Sequence, residues 1–522
     1  MFWENFREWL VHLPSLDMVL DLSKIQISED FIRSMQPSIV RALYEMDKLE
    51  KGLIANPDEG RMVGHYWLRK FELAPSEEIR RSLHENLVHI QDFSEAIRSG
   101  TIKGEKGPFT HLLCVGIGGS ALGPQLLSEV LGVDGEGLDT FFIDNTDPDG
   151  IHRILKKLEG HLGKTLVLVM SKSGGTPEPR NALMGIRNAY QKEGLRFEKH
   201  GVAVTQPESP LDRQAATEEW LDRFPLWDWV GGRTSFFSSV GLLPAALQGI
   251  DISGLMGGAT EMDIATRHVK YAKNPAMLLA LAWYVTTNGK GTRNMVIVPY
   301  KDSLGLLARY LQQLVMESLG KKEDLEGRTV HQGLTVYGNK GSTDQHAYIQ
   351  QLRDGLDDFF VTFIEVLHHP VDFEVETGLT AGDYLEGFLI GTRKALAEVG
   401  RPSITLTTIS LTAQTLGALV ALYERAVGFY ASFINVNAYH QPGVEAGKKA
   451  ASQILSLKKE ILNLMKNDPE RALSAPEVAK ILKTSEPVEN IFKLLEYLYA
   501  NGSLQRHLGT SLVDSTYQLK HP

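Results

Sequence analysis

From His111 onward, short apolar runs alternate with amphipathic stretches, and few folds accept that rhythm. Residues 112–115, 140–143, 165–170 and 202–204 are apolar runs, separated by helical patterns such as 124–131 and 177–192. Near-continuous apolar runs are what parallel strands buried on both faces require, with helices carrying the chain back between them. A second series starts at 294–299 and continues through 360–367 and 403–409. The expected class is therefore α/β, with two doubly wound parallel sheets flanked by helices and meeting near residues 245–290.

The flanking regions read differently. Phe31, Met35, Ile39, Leu43 and Met46 recur at three- and four-residue steps, so the N-terminal region is expected to be helical. No period of roughly 20–50 residues recurs, which excludes a solenoid. After a long helical pattern around 442–465, Asn467-Asp468-Pro469 interrupts the chain, and short helical patterns follow at 474–482 and 488–499. Two helices flanking Lys483-Thr484-Ser485-Glu486-Pro487 also fit a helix-turn-helix. From Gln453 onward, however, nine Lys/Arg face eight Asp/Glu, so the basic footprint of a DNA reader is missing and a structural extension is expected. The boundaries expected are 1–60 for the helical N-terminal region, 61–250 and 251–452 for the two α/β units, and 453–522 for the small helical extension.

Composition narrows the class of function. With 54 Lys/Arg against 64 Asp/Glu, the formal net charge is −10, which argues against a nucleic-acid coat or a polybasic membrane binder. The longest apolar run, 276–285, falls far short of the ~20 residues of a membrane span. Acids stand near the N-terminus where a signal peptide would have a basic segment and an apolar run. The single cysteine, Cys114, excludes an intramolecular disulfide and a cysteine-cluster metal site. A soluble cytoplasmic protein with no membrane and no nucleic-acid partner is expected.

Chemistry concentrates at strand ends. Gly116-Ile117-Gly118-Gly119-Ser120-Ala121 closes the first run, where backbone N–H groups can approach an anion at a helix N-terminus. The same residues fit Gly-x-Gly-x-x-Ala, so a dinucleotide site is the rival, with Asp144 as a ribose acid. The third run ends in Ser171-Lys172-Ser173-Gly174-Gly175-Thr176-Pro177, with Thr176 placed as N-cap and Pro177 as first helical residue. Three hydroxyls beside glycines and a helix N-terminus suit the oxygens of a phosphate monoester, a second cradle that a dinucleotide fold does not need. Hydroxyl-rich loops are also often simple caps.

Gly231-Gly232-Arg233 could aim a guanidinium into a cleft, against the commoner fate of a surface ion pair. In the pattern 305–319, Gln313 and Glu317 lie four residues apart on one face, with Glu317 at the border of the apolar stripe, where a carboxylate is placed to act as a base. His346 opens a loop before a helix, and Lys448 lies in Gln441-Pro442-Gly443-Val444-Glu445-Ala446-Gly447-Lys448. His368 and His369 are adjacent and no His-Glu-x-x-His occurs, so no metal is expected.

Taken in order, Gly-Ile-Gly-Gly-Ser, Ser-Lys-Ser-Gly-Gly-Thr, Gly-Gly-Arg, Gln-x-x-x-Glu-Ser, Gln-His-Ala and Gln-x-Gly-Val-Glu-x-Gly-Lys resemble the phosphoglucose isomerase family over roughly residues 60–450. Thr234, Gly174-Gly175 and His440-Gln441-Pro442 depart from the commoner family pattern and mark a divergent member with an extra tail. The resemblance implies two flavodoxin-like sugar-isomerase (SIS) domains and an aldose–ketose isomerase acting on glucose 6-phosphate and fructose 6-phosphate, with no cofactor. It implies that Gly119, Ser120, Ser171, Ser173 and Thr176, with the Lys172 backbone N–H, hold the phosphate. Gln313 and Gln441 would line the substrate, Glu317 would be the base, Arg233 would stabilise the enediolate, and His346 and Lys448 would attend ring opening. It further implies a homodimer in which His346 is contributed across the interface. The alternatives are a non-catalytic SIS-type sensor of sugar phosphates and a nicotinamide-dependent dehydrogenase, the latter disfavoured by the 171–176 loop.

Overall fold

The computed structural model describes residues 2–520 apart from 133, 134 and 136. The chain separates into two compact units, Met1–His440 and Gln441–Pro522.

The first unit holds two sheets. In one, five parallel strands run in the order Asp222–Pro225, Gly201–Thr205, Thr165–Met170, His111–Val115, Asp139–Ile143. All six residues of Thr165–Met170 and all five of Gly201–Thr205 are buried, which is why these runs are apolar without alternation. The first strand in sequence has the second on one side and the third on the other, so the connections leave in opposite directions. Between the first and third strands lies a topological switch point, where doubly wound sheets open a crevice.

The other sheet places Ser403–Thr408, Phe359–Val366, Asn294–Pro299 and Val336–Tyr337 side by side and parallel. An N-terminal hairpin, Leu10–Leu13 with Met18–Asp21, adds two strands to its edge, pairing antiparallel with Ser403–Thr408 at Leu20↔Leu406. The N-terminal region is thus helical with a β-hairpin ahead of its main helix, Glu29–Glu50, which Ser28 caps through a bond from the Phe31 N–H. That helix buries Met35, Ile39 and Met46, as the periodicity requires.

Two helices are buried along most of their length. Pro275–Thr286, which contains the longest apolar run, and Ala413–Phe433 are buried in one continuous core. Among the described residues, no helix is long and apolar enough to cross a membrane. Ion pairs thread this core: the carboxylate of Asp263 takes Arg69 at 2.8 Å and Arg425 at 3.1 Å, Glu424 pairs with Arg69, and Glu50 pairs with Arg425 and Arg267.

The second unit combines the helix Pro442–Asn467 with Ala475–Leu482, Val488–Ala500 and a three-stranded antiparallel sheet. Its helices are those expected from the pattern; the hairpin Leu504–His507 with Thr516–Leu519 and the short strand Leu473–Ser474 are additional. The hairpin strands are four residues each, too short for their period to stand out. Leu457, Ile461 and Met465 of the long helix pack with Val478, Ile491, Leu495, Leu498 and Tyr517.

Candidate active site

Two glycine- and hydroxyl-rich loops emerge side by side at the switch point. Leu113 pairs with Val167, so the loops after Val115 and Met170 leave from neighbouring strand ends. In the first loop, Gly118–Ser120 forms a short 3-10 turn leading into the helix Leu122–Leu131. A Cβ at Gly119 would come within 2.0 Å of the Gly232 carbonyl oxygen, so only glycine lets this loop touch the turn that carries Arg233.

In the second loop, Thr176 is the N-cap of Pro177–Lys192, and its side chain does not cap the helix. The hydroxyls instead cluster: Ser171 Oγ donates to Thr176 Oγ1 at 3.1 Å, and Ser173 Oγ lies 3.3 Å from the same oxygen. Ser171 is buried, while Ser173 and Gly175 face solvent. Gly174 adopts φ +66°, a left-handed turn that returns its N–H to the Ser171 carbonyl at 3.1 Å. The Lys172 side chain leaves the loop altogether and donates to the carbonyls of Asp228 at 2.6 Å and Val230 at 2.7 Å.

Across from these loops, the helix after Asn294–Pro299 changes character part-way along. Leu307–Leu311 is α-helical, and Gln312–Glu317 is a π-helix. Such wide turns occur mostly as single insertions and frequently at functional sites. Gln313 and Glu317 remain neighbours, Gln313 Nε2 donating to Glu317 Oε2 at 3.3 Å. Gln313 also reaches the first loop, since a Cβ on Gly118 would lie 3.0 Å from its Nε2. Arg309 spans the same gap and meets Asp144 at 3.4 Å, while Gln125 donates to the same carboxylate at 2.9 Å. Asp144, the residue a dinucleotide site would have used, is engaged here in linking the two sheets.

Arg233 is the centre of the arrangement. Its side chain is 4% exposed and its Nη1 stands 3.2 Å from Glu317 Oε2, with Glu317 20% exposed. Nε donates to Ser318 Oγ at 2.8 Å, and Nη2 to the carbonyls of Ala438 at 2.5 Å and His440 at 3.0 Å. Burial lowers the guanidinium from its ordinary value, and Glu317 works against that shift. Lys321 completes the ring, donating to the Glu317 carbonyl at 2.6 Å and the His440 carbonyl at 3.1 Å. Burial, with Arg233 nearby, pushes that ammonium down to about 7. Arg233 lines a cleft with Asn56, Arg61, Lys172 and Tyr439, while Glu317 lines a second with Gly118, Asp144 and Gln313. A buried cation held against a partly exposed carboxylate can offset an oxyanion beside a group that moves protons.

A scan against family models matches the phosphoglucose isomerase family over residues 21–380 and 389–470. The chain belongs to that family. A glucose-6-phosphate isomerase of Synechococcus sp. (strain JA-3-3Ab) is 55% identical over 506 residues, covering 96% of this chain and 95% of the relative. Glucose-6-phosphate isomerase 1, chloroplastic, of Arabidopsis thaliana is 52% identical, covering 99% of this chain and 88% of the relative. The crystal structure of a glucose-6-phosphate isomerase from Chlamydia trachomatis D/UW-3/Cx superposes with a TM-score of 0.79 at 27% identity, covering 92% and 93% of the two chains.

Within this phosphoglucose isomerase fold, Gly119, Ser120, Ser171, Ser173, Thr176, Arg233, Gln313 and Glu317 all belong to the first unit, on the elements just described. His346 lies in the same unit as the exposed last residue of the turn Asp344–His346, whose Asp344 is buried, and among the described residues it makes no hydrogen bond to Glu317. Gln441 and Lys448 belong to the second unit, Gln441 as N-cap of Pro442–Asn467 and Lys448 on its exposed surface. Sequence reasoning missed Ser318, Lys321 and the Lys172 side chain. The signal for Lys321 was present: a lysine one residue past Gly320, at the end of the helix, where cations meet the last carbonyls. Among the described residues, no group of three or more His, Cys, Asp or Glu could hold a metal ion.

Proposed function

We propose that this site interconverts glucose 6-phosphate and fructose 6-phosphate by proton transfer, with the phosphate held at the 171–176 and 116–120 loops. The observation that carries the reading is the 3.2 Å pair of buried Arg233 with Glu317, opposite a loop whose three hydroxyls converge. The phosphate supplies binding energy remote from the reacting carbons. His346 and Lys448 open the ring, Glu317 takes the C2 proton, Arg233 offsets the charge of the cis-enediolate, and Glu317 returns the proton to C1. A glutamate base serves triose phosphate isomerisation in the same way on another fold.

A sensor would keep the hydroxyl loops and have no use for the Arg233–Glu317 pair. The names of the relatives at 52–55% identity likewise support the enzyme. We infer a cytoplasmic homodimer with His346 supplied across the interface. Val371, Phe373, Val375 and Leu379 stand exposed on and beside the hairpin 374–380, an apolar face suited to a second copy. Incubation with fructose 6-phosphate and no added cofactor tests the reaction: glucose 6-phosphate accumulates, and its absence rejects the reading.

A further inference from the structure

The phosphate loop carries a side chain for which the route above has no use. Lys172 contributes its backbone N–H there, yet its ammonium points away from the hydroxyls and spans to another loop. Nζ donates to the Asp228 and Val230 carbonyls, at 2.6 and 2.7 Å. Val230 stands three residues before Arg233, separated only by Gly231 and Gly232. The backbone end of Lys172 is equally fixed: its carbonyl accepts from the Gln206 N–H at 3.2 Å, and Thr205 Oγ1 donates to the preceding Ser171 carbonyl at 2.7 Å. A side chain with both ends fixed is a strut. Without it, the Asp228 and Val230 carbonyls lose a charged donor, and the two glycines that follow offer little resistance to rearrangement.

We propose that the Lys172 side chain is a positioning residue that joins the phosphate-binding loop to the turn carrying Arg233, so that phosphate seating and guanidinium placement are set together. The inference rests on the function proposed above. Arg233 has a second route to the same loops through the Gly119–Gly232 contact, which is steric and fixes distance alone. The lysine adds direction, because two carbonyls on one ammonium fix the peptide planes leading into the arginine turn. Burial, with Arg61 beside it, brings Lys172 down to about 8, so at neutral pH the strut mostly carries its charge. Lys172 and Arg233 line the same cleft, so disturbance of one end reaches the other without crossing the core.

The strut predicts that turnover suffers and phosphate binding does not. In Lys172→Met, kcat should fall about ten- to a hundredfold, as a misplaced catalytic group does, with KM within about threefold. Two inhibitors sharpen the readout: a five-carbon aldonate 5-phosphate, whose carboxylate matches the planar enediolate, and its alditol 5-phosphate, which lacks that charge. The aldonate should lose affinity by the same factor as kcat, while the alditol keeps its own. Lys172→Cys alkylated with 2-bromoethylamine rebuilds the side chain with sulfur in place of Cγ and should recover most of kcat. The other thiol, Cys114, is buried with its ionisation suppressed, so labelling is selective.

An unchanged kcat in Lys172→Met overturns the proposal. So does equal weakening of both inhibitors, which would make the side chain part of the phosphate site, and so does failure of the alkylated variant to recover in a protein that melts like wild type. If Lys172→Met does not fold, the labelled and unlabelled forms of Lys172→Cys decide by the same comparison. If the wild type forms no glucose 6-phosphate from fructose 6-phosphate, the functional reading fails and the strut with it.

Discussion

Replacing Glu317 by glutamine separates the chemistry from the architecture. Glutamine is the same size, and its Oε1 can accept the bond that Arg233 Nη1 now gives at 3.2 Å. Arg233 keeps its bonds to Ser318, Ala438 and His440. What folding loses is the charge on one acceptor, worth at most about 3 kcal/mol for a hydrogen bond to a charged group. In the proposed mechanism catalysis loses its base, about 10²–10⁴-fold, which is about 2.7–5.4 kcal/mol of barrier at about 1.36 kcal/mol per tenfold. In deuterated water, NMR on glucose 6-phosphate reads two events in one tube. Exchange of the C2 hydrogen should fall with isomerisation, whereas enzyme-promoted interconversion of the α and β anomers should persist, because ring opening does not use the glutamate. His346→Ala should invert the pattern, suppressing anomerisation while the small open-chain fraction still exchanges. Near wild-type C2 exchange in Glu317→Gln would show that another residue is the base.

Thr176→Ala should raise KM by one to two powers of ten, matching the loss of about 1.5–3 kcal/mol to a charged acceptor, and should leave the poor turnover of unphosphorylated fructose unchanged; steady-state assays on both sugars check this. Asp263→Ala leaves Arg69 and Arg425 facing each other without their shared carboxylate and should destabilise the first unit by about 3–5 kcal/mol in urea titrations. Burial alone would raise the Glu50 carboxyl, but Arg425 and Arg267 hold it below its ordinary value. Its contribution is therefore present at neutral pH and is lost as pH falls through its folded-state value, so Glu50→Gln should cost stability at neutral pH and progressively less in acid. Ending the chain at Asn467 uncovers Leu457, Ile461 and Met465, so the truncated protein should aggregate. Polar replacements at those three positions should restore a soluble form with activity within a few-fold.

The parallel strands were legible because burial on both faces leaves an unbroken apolar run, as in Thr165–Met170. The two anion-ready loops were legible because glycine, hydroxyl and a following helix occupy fixed places after such runs. The π-helical turn at Gln312–Glu317 was not, since one inserted residue leaves the apolar stripe of Leu307, Leu311, Leu314 and Val315 nearly intact over so short a span. Nor was the ring of carbonyls around Arg233 and Lys321. Backbone acceptors carry no residue-type signature, and Ala438 and His440 lie more than a hundred residues from both cations. The edge hairpin at Leu10–Asp21 escaped for the same reason: its partner strand lies at the far end of the first unit.

That pairing has a consequence for how the protein is made. Leu20 leaves the ribosome long before Leu406, its partner in the sheet. At about 5–20 residues per second, the hairpin waits about 20–80 s for the strand that covers its edge. Throughout synthesis it presents unpaired backbone N–H and C=O groups beside apolar side chains, the template on which strands of other nascent chains can add. A circular permutant whose new start lies shortly before Ser403, with the old termini linked, would cut that wait to roughly a third. Its yield of soluble protein at high expression should exceed that of the natural order.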